Sequence, residues 1–415
     1  MSASDELEID DARRIVLKSV RPLDFVELSL DDALGRVLAG DVLADAPLPA
    51  FDSSAMDGWA VRAADVASAS ASEPVALRPI GESRAGHPAS QALAEGETIA
   101  ISTGAMIPAG ADAVVRVERT RRHESGSVVE VLEAVPAAND IRRAGEDVAQ
   151  GAVVLRAGAT LGPAEIGMHA SLGRARALCS RAPRVSVLAT GDELVAPGET
   201  GRPGTVRDSN SHSIAALARR AGAHVVRRAT LPDDAAVTMA AIAEGAADSD
   251  ALLLCGGVSV GEHDHVRPSL QRLDASQRFW GLALKPGHPT WFGTLGDALV
   301  FGLPGNPVSA MVTFALLAAP ALRAMQGARD PHLSLTAALD GGYRKRAGRA
   351  HAVRCTISAR DDGWHARPTG PQGSHMLSSM LAADALAIVP GAVSELPDGA
   401  RVRIEPLRAL AGGRL

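Results

Sequence analysis

Two short aliphatic runs, each opening into a glycine-rich loop, constrain this chain more than any other feature. The first lies in residues 251–266, ALLLCGGVSVGEHDHV, and the second in residues 298–310, ALVFGLPGNPVSA. The aliphatic residues 251–254 fit a strand buried on both faces, as in parallel sheets covered by helices. The break into Gly256-Gly257, Ser259 and Gly261 puts backbone N–H groups at the carboxyl edge of such a sheet. Open α/β sheets bind ligands at that edge, and clustered N–H groups attract phosphate oxygens. Asp264 follows closely enough to hold a hard cation against those oxygens. A plain glycine turn explains the first run equally well on its own. The second run tips the balance: Pro304-Gly305-Asn306-Pro307 leads into an apolar helix, with Asn306 at the N-cap and Pro307 at the first helical position. The dipole of that helix start favours an anion.

The region around these loops alternates regularly. RVSVLATGDEL, from Arg184, reads as a strand opening into a loop that carries Glu193. NSHSIAALARRAG reads as a helix capped by Asn210 or Ser211 and stopped by Gly222. HVVRRA is a strand leading to Pro232-Asp233-Asp234, residues 235–247 form an apolar helix, and a further helix falls near residues 267–273. FWGLALKPGHPTWFGTL is hairpin-like. Strand and helix in alternation, with loops at the strand ends, predict a doubly wound parallel sheet. From Pro331 onward, HAVRCTIS, WHARPTG, ALAIVPG and ARVRIEP predict a separate all-β, barrel-like domain.

Upstream, residues 11–20 read as a short amphipathic helix, and residues 61–143 as a small β-rich insert of valine and isoleucine runs between glycine and proline breaks. A helix begins near Pro163. The expected domains are a parallel α/β domain from 8–26 and 181–330, a linking domain from 27–50 and 144–180, an inserted β-rich domain from 51–143, and the C-terminal all-β domain from 331–415.

With 415 residues, several domains are required. A net charge of −6 and an aromatic content of only 3% argue against nucleic acid, which calls for basic patches and stacking platforms. Cys179, Cys255 and Cys355 are odd in number and lack CxxC spacing, so they read as reduced thiols of a cytoplasmic protein. No signal peptide and no 18-residue apolar run is expected, so the reading includes no membrane.

The strings GGVSVGEHD and GLPGNPVSA resemble those of the molybdopterin molybdenumtransferases, a family that includes the homologous part of gephyrin. The resemblance extends over nearly the whole chain. FDSSAMDGWA is similar to the family's FDxSAMDGYA, with Trp59 for the usual tyrosine, and residues 103–115 resemble its TGAxxPxGADAVV. The implied activity is insertion of molybdate into adenylylated molybdopterin with release of AMP. The resemblance also implies Mg²⁺ and a homodimer, and makes Asp57 and Thr103 site residues that face the partner's sheet domain. Its adenylyltransferase and downstream cofactor-processing proteins are potential partners. Rival readings are adenylyl transfer to molybdopterin, the preceding step, and a non-catalytic scaffold.

Glu193, Asp233 and Asp264 each fall just past the end of a strand, so one cleft could gather them, and the resemblance implies the same three acids. Mg²⁺ keeps waters and takes one or two carboxylates plus phosphate oxygens, which suits Asp264 and Glu193. The plainer reading is that such acids cap helices, as Asp233 and Asp234 could for residues 235–247. His263 and His265 flank Asp264, but neighbouring residues diverge and no second Cys/His pair lies near, so zinc is not favoured. Molybdate is a small dianion and needs cationic donors. The resemblance points to Lys285, Arg354 and Ser374, while His288 stands where KPGKP would carry a second lysine.

Overall fold

The computed structural model describes residues 6–259, 261 and 264–408, and the chain divides into two compact units. His263 lies outside the described residues. The first unit comprises residues 1–40, 157–162 and 177–415; the second comprises 41–156 and 163–176.

The centre of the first unit is a six-stranded sheet ordered His224–Leu231, Arg184–Thr190, Ala251–Cys255, Ala298–Leu303, Trp291–Leu295, Ser276–Trp280. The first four strands are parallel, and the last two are added antiparallel through the hairpin-like segment. Ala251–Cys255 is buried along its whole length. Its alternate residues feed two cores: Leu253 and Cys255 join Val187, Phe301 and Leu316 on one face, and Leu252 and Leu254 join Leu188, Ile242 and Val300 on the other. A continuous aliphatic run is what burial on both faces demands.

Helices Asn210–Arg220 and Ala235–Ala247 cover the sheet. The cap expected at Asn210 or Ser211 lies upstream: Asp208 accepts the Ser211 N–H at 2.9 Å, because its carboxylate is buried and also receives the Thr230 hydroxyl. Residues 307–325 form one helix, long and apolar enough by length and composition to cross a membrane, but 72% of its apolar window is buried inside the protein. It begins at Pro307, where the sequence places the start of an apolar helix, and Ser309, Thr313 and Arg323 interrupt its apolar run. Ser309 and Thr313 are buried, and the Thr313 hydroxyl donates back to the Ser309 carbonyl.

The N-terminal helix spans Ile9–Lys18, starting two residues before the expected segment, and buries Ile9, Ala12 and Val16 against the sheet domain. Arg13 is buried too, donating to both carboxylate oxygens of Glu405 at 2.7 Å and to the Leu316 carbonyl at 3.0 Å.

Residues 335–406 form a closed five-stranded barrel. Ala350–Arg360, Gly363–Pro368, Leu335–Leu339, Arg401–Pro406 and Ala385–Val389 pair in that order, and the last returns to the first. Closure removes the exposed strand edges. One face of these strands fills the barrel with small residues such as Ala366, Ala385 and Ala387, and the other face, with Ala350, Ala352, Leu386 and Ile388, joins the sheet-domain core. Leu284–Lys285 pairs with Ala350–His351 at the barrel's edge.

In the second unit, a six-stranded sheet is ordered Ala113–Arg116, Gly58–Val61, Glu97–Ile101, Val75–Ser83, Val129–Val131, Thr120–Arg122. Gly58–Val61, from the FDSSAMDGWA string, is a buried strand with a neighbour on each side. A side chain at Gly58 would lie 2.0 Å from the Val115 carbonyl oxygen, so only glycine permits this pairing.

Candidate functional site

Register explains how the sheet builds a cleft. Ala189 pairs with Cys255 and Cys255 with Leu303, while Thr190 pairs with Leu231. Four parallel strands thus end level, and the loops beginning at Gly191, Pro232, Gly256 and Pro304 emerge side by side. They enclose a cavity of about 270 Å³ lined by Glu193, Asp233, Asp264, Gly256, Gly257, Ser259, Pro304 and Gly305, with Thr190 and Pro289. Eight sequence candidates therefore meet in one place. Gly261 is not in the wall, but its N–H donates to the Asp264 carboxylate at 3.2 Å and orients it.

The loop is pinned from behind. The Trp280 indole N–H donates to the Val258 carbonyl at 3.0 Å, and Arg267 lies over the Trp280 ring at 4.2 Å. Gly256 and Gly257 adopt φ of +91° and +65°, and a side chain at Gly257 would meet Val266 at 2.7 Å and the Thr190 hydroxyl at 3.0 Å. Among the described residues, that hydroxyl is buried with no hydrogen-bond partner. Among the described residues, the N–H groups of Gly257 and Gly305 also make no hydrogen bond, so they are available to phosphate oxygens. Asn210 holds the second loop by donating to the Gly305 carbonyl at 2.7 Å.

The acids differ in what they do locally. Asp234 caps the helix after it, accepting from Ala236 and Val237, both at 2.8 Å. Asp233 does not share that cap. Its carboxylate accepts the Asp192 N–H at 3.2 Å, and the Asp192 carboxylate accepts the Asp233 N–H at 3.0 Å, which clamps the two loops together. Among the described residues, no three acidic, histidine or cysteine side chains form a ready metal cage. The donor set still fits Mg²⁺, which takes one or two carboxylates and completes its shell with water and phosphate. Asp264 and Glu193 would hold it.

A second cavity, of about 580 Å³, is lined by Lys285, His288, Asn306, Arg354 and Ser374 together with Tyr343, Arg349, His351 and His375. Pro289 lines both cavities, and Gly305 and Asn306 are consecutive residues facing one each. Pro307 lines neither; it opens the helix at its first position, and Asn306 holds the N-cap conformation without a side-chain cap bond. The Val308 N–H instead donates to the Ser374 carbonyl at 3.2 Å, tying the barrel loop to the helix start.

Arg354 is fully buried. Its Nε donates to Ser379 at 2.9 Å and its Nη2 to the Gly373 carbonyl at 3.1 Å, while Nη1 has no partner among the described residues. Gln372 fixes its backbone on both sides. Burial lowers its pKa from the usual guanidinium value, though a guanidinium remains charged. The Lys285 ammonium makes no hydrogen bond or ion pair among the described residues. His351 accepts from or donates to the Tyr343 hydroxyl at 3.2 Å, and burial with Lys285 and Lys345 nearby pushes its pKa down to about 4, so it is neutral at pH 7. The His288 Nδ1–H donates to the Leu282 carbonyl at 3.1 Å.

Asp57 and Thr103 meet within the second unit. The Thr103 N–H donates to the Asp57 carboxylate at 2.7 Å and its hydroxyl to the same oxygen at 3.1 Å. Residues that the sequence reading missed include Thr190, Trp280, Tyr343 and Arg349. Thr190 and Trp280 stand in strings read only as strand and hairpin, and register and barrel closure bring Thr190, Tyr343 and Arg349 to the cavities and Trp280 behind the first loop.

An acid-lined cleft at the carboxyl edge of an α/β sheet, beside a cationic cavity against a small β-barrel, places the chain among multidomain α/β proteins with a ligand-sized cleft at the strand ends. Comparison with known proteins sharpens this class. Residues 7–173 match the model for the MoeA N-terminal region (domain I and II), residues 186–324 that for a probable molybdopterin binding domain, and residues 336–407 that for the MoeA C-terminal region (domain IV). The molybdopterin molybdenumtransferase of Haemophilus influenzae is 36% identical over 413 residues, covering 98% of this chain and 100% of that protein. The Bacillus subtilis protein of the same name is 33% identical, covering 97% and 94%. The crystal structure of the molybdopterin biosynthesis moeA protein from Pyrococcus horikoshii OT3 superposes with a TM-score of 0.84 at 30% identity, covering 97% of this chain and all of that one. The chain belongs to the molybdopterin molybdenumtransferase family.

Proposed function

We infer that this chain inserts molybdate into adenylylated molybdopterin, releasing AMP and forming molybdenum cofactor. The observation that carries the reading is the junction of the two cavities at Pro289 and at the consecutive residues Gly305 and Asn306. A phosphorylated ligand in the first cavity would present its far end to an oxyanion in the second.

The roles follow from the donors available. The N–H groups of Gly257 and Gly305 receive phosphate oxygens, with Ser259 and Thr190 as hydroxyl donors in the same wall. Lys285 supplies a point charge, Arg354 the free Nη1 of a rigid fork, and Ser374 a hydroxyl, which together suit a tetrahedral dianion. When bound, Mg²⁺ would neutralise charge on the phosphoanhydride oxygens. Asp264 and Glu193 hold charge at that position, and Asp233 fixes the loop of Asp192 beside them. Asp57 holds the Thr103 hydroxyl, as a site pair in the second unit. The proposed assembly is a homodimer, and the proposed compartment is the cytoplasm, supported by three buried free thiols. Molybdopterin adenylyltransferase, as supplier of the substrate, and an acceptor of the product are the proposed partners.

The test is reconstitution with adenylylated molybdopterin and molybdate, reading AMP release and cofactor formation. Asp264→Asn keeps the shape and removes the charge, so turnover should be lost while titration calorimetry still shows substrate binding. Loss of binding with turnover would make Asp264 a substrate anchor instead. ATP consumption with molybdopterin alone would reveal the preceding reaction.

A further inference from the structure

The oxyanion cavity has three full cations in its wall, Lys285, Arg349 and Arg354, yet one is already neutralised. The Arg349 Nε donates to the Glu6 carboxylate at 2.7 Å, and its Nη2 donates to the second oxygen, a bidentate pair. The same Glu6 oxygen lies 3.7 Å from the His288 Nδ1. Glu6 itself is behind the wall rather than in it, with its side chain 17% exposed. Its position is built into the fold: Leu7 forms a parallel bridge with Leu282, and the Ala283 N–H donates to the Leu7 carbonyl at 2.9 Å.

We propose that Glu6 is a positioning residue that sets the oxyanion affinity of this cavity, holding Arg349 against the wall and cancelling its charge. The proposal rests on the reading of this cavity as the molybdate site. Other charged or titratable groups facing the cavity are Lys285, His288, His351, Arg354, Tyr343 and His375. Of these, His351 is kept neutral by its surroundings, and the Arg354 side chain is fixed by the carbonyls around it. Arg349 is therefore the cation whose contribution can be released by a single change. The Arg349 pair lowers the Glu6 pKa, so Glu6 is ionised wherever the protein is folded near neutral pH. With Glu6 in place, a dianion entering the cavity meets Lys285 with the buried charge of Arg354 behind the wall, and Arg349 only as half of a neutral pair.

The experiment is a calorimetric titration of the full chain with molybdate and, separately, with perrhenate, a tetrahedral oxyanion carrying one charge instead of two. Glu6→Gln should tighten molybdate binding about tenfold. An electrostatic effect scales with ligand charge, so perrhenate should gain only about threefold. Glu6→Asp keeps the carboxylate and should stay near the wild-type value for both anions. Thermal melting confirms that each variant is folded. Equal gains for the two anions would show a reshaped cavity rather than a released charge, and unchanged or weaker molybdate binding by Glu6→Gln would leave Glu6 a purely structural residue; either overturns the proposal. Lys285→Ala should abolish molybdate binding. If it does not, the cavity has been assigned to the wrong anion and the role of Glu6 falls with it.

Discussion

At the scale of single residues, the glycines of the first loop show how closely chemistry and backbone are joined. Gly257 sits at φ +65°, with Val266 and the Thr190 hydroxyl where a side chain would go. Gly257→Ala should cost about 1–2 kcal/mol from the left-handed backbone alone. The larger effect should fall on function, because relieving the clash moves the loop whose N–H groups face the cavity. Chemical denaturation and substrate titration together check this: a modest stability loss with strongly weakened binding is expected. Normal binding would mean that the loop does not cradle phosphate. The string GGVSVG signals a glycine turn, and only beside the second loop does it point to phosphate. Thr190 carries no such signal, since its unpartnered hydroxyl becomes meaningful only beside Gly256 and Gly257.

At the scale of elements, the barrel holds a cluster that ties its stability to pH. His365 bonds Asp340 through Nδ1 at 2.8 Å and Asp362 through Nε2 at 2.9 Å, and Arg360 pairs with Asp340 as well. The His365 bond, with Arg360 beside it, lowers the Asp340 pKa from 3.8 to about 2, and the two aspartates raise that of His365. A lowered carboxylate stabilises the fold above its unfolded pKa and loses that contribution as pH falls toward about 2. A raised histidine contributes fully below its unfolded value, and that contribution disappears as pH rises through the folded one. The charged pair is therefore strongest between roughly pH 4 and 6. His365→Gln should lower the melting temperature most in that window and least above about pH 8, as scanning calorimetry across pH would show. A difference independent of pH would reduce His365 to a neutral hydrogen-bond partner. The strand carrying His365 was legible as WHARPTG. Asp340 was not, because it lies in the turn after Leu335–Leu339, a strand that barrel pairing sets beside the one carrying His365.

At the scale of the whole molecule, a buried ion pair joins the two ends of the first unit. Arg13 and Glu405 are 4% and 6% exposed and lie 392 residues apart. Arg13→Ala leaves a buried carboxylate without its partner and should cost about 3–5 kcal/mol. Arg13→Met with Glu405→Leu should recover much of that loss, because two apolar groups of similar size need no charge compensation. Denaturant titration of the three variants decides; a double variant no better than the single one would assign the loss to packing. The proposed homodimer is tested by mixing inactive Asp57→Ala and Asp264→Ala proteins. Heterodimers should restore part of the activity if each site draws on both chains, whereas subunit exchange without recovery would exclude a shared site.

Periodicity and loop chemistry determined much of this protein by themselves. The run at 251–254 fits a strand buried on both faces, the helix at 235–247 falls where its apolar pattern and Asp234 cap place it, and the second glycine loop leads into the helix that Pro307 opens. These are local consequences of backbone geometry, burial and capping, which a sequence carries directly. Tertiary structure alone decided which loops share a cavity, because strand register rather than sequence distance levels Thr190, Leu231, Cys255 and Leu303. It also set Gly58–Val61 between two paired strands and buried Arg13 within an amphipathic helix, since both depend on partners far along the chain. Glu6 belongs to the same class: its charge is visible in the sequence, but only the bridge from Leu7 to Leu282 sets it against Arg349.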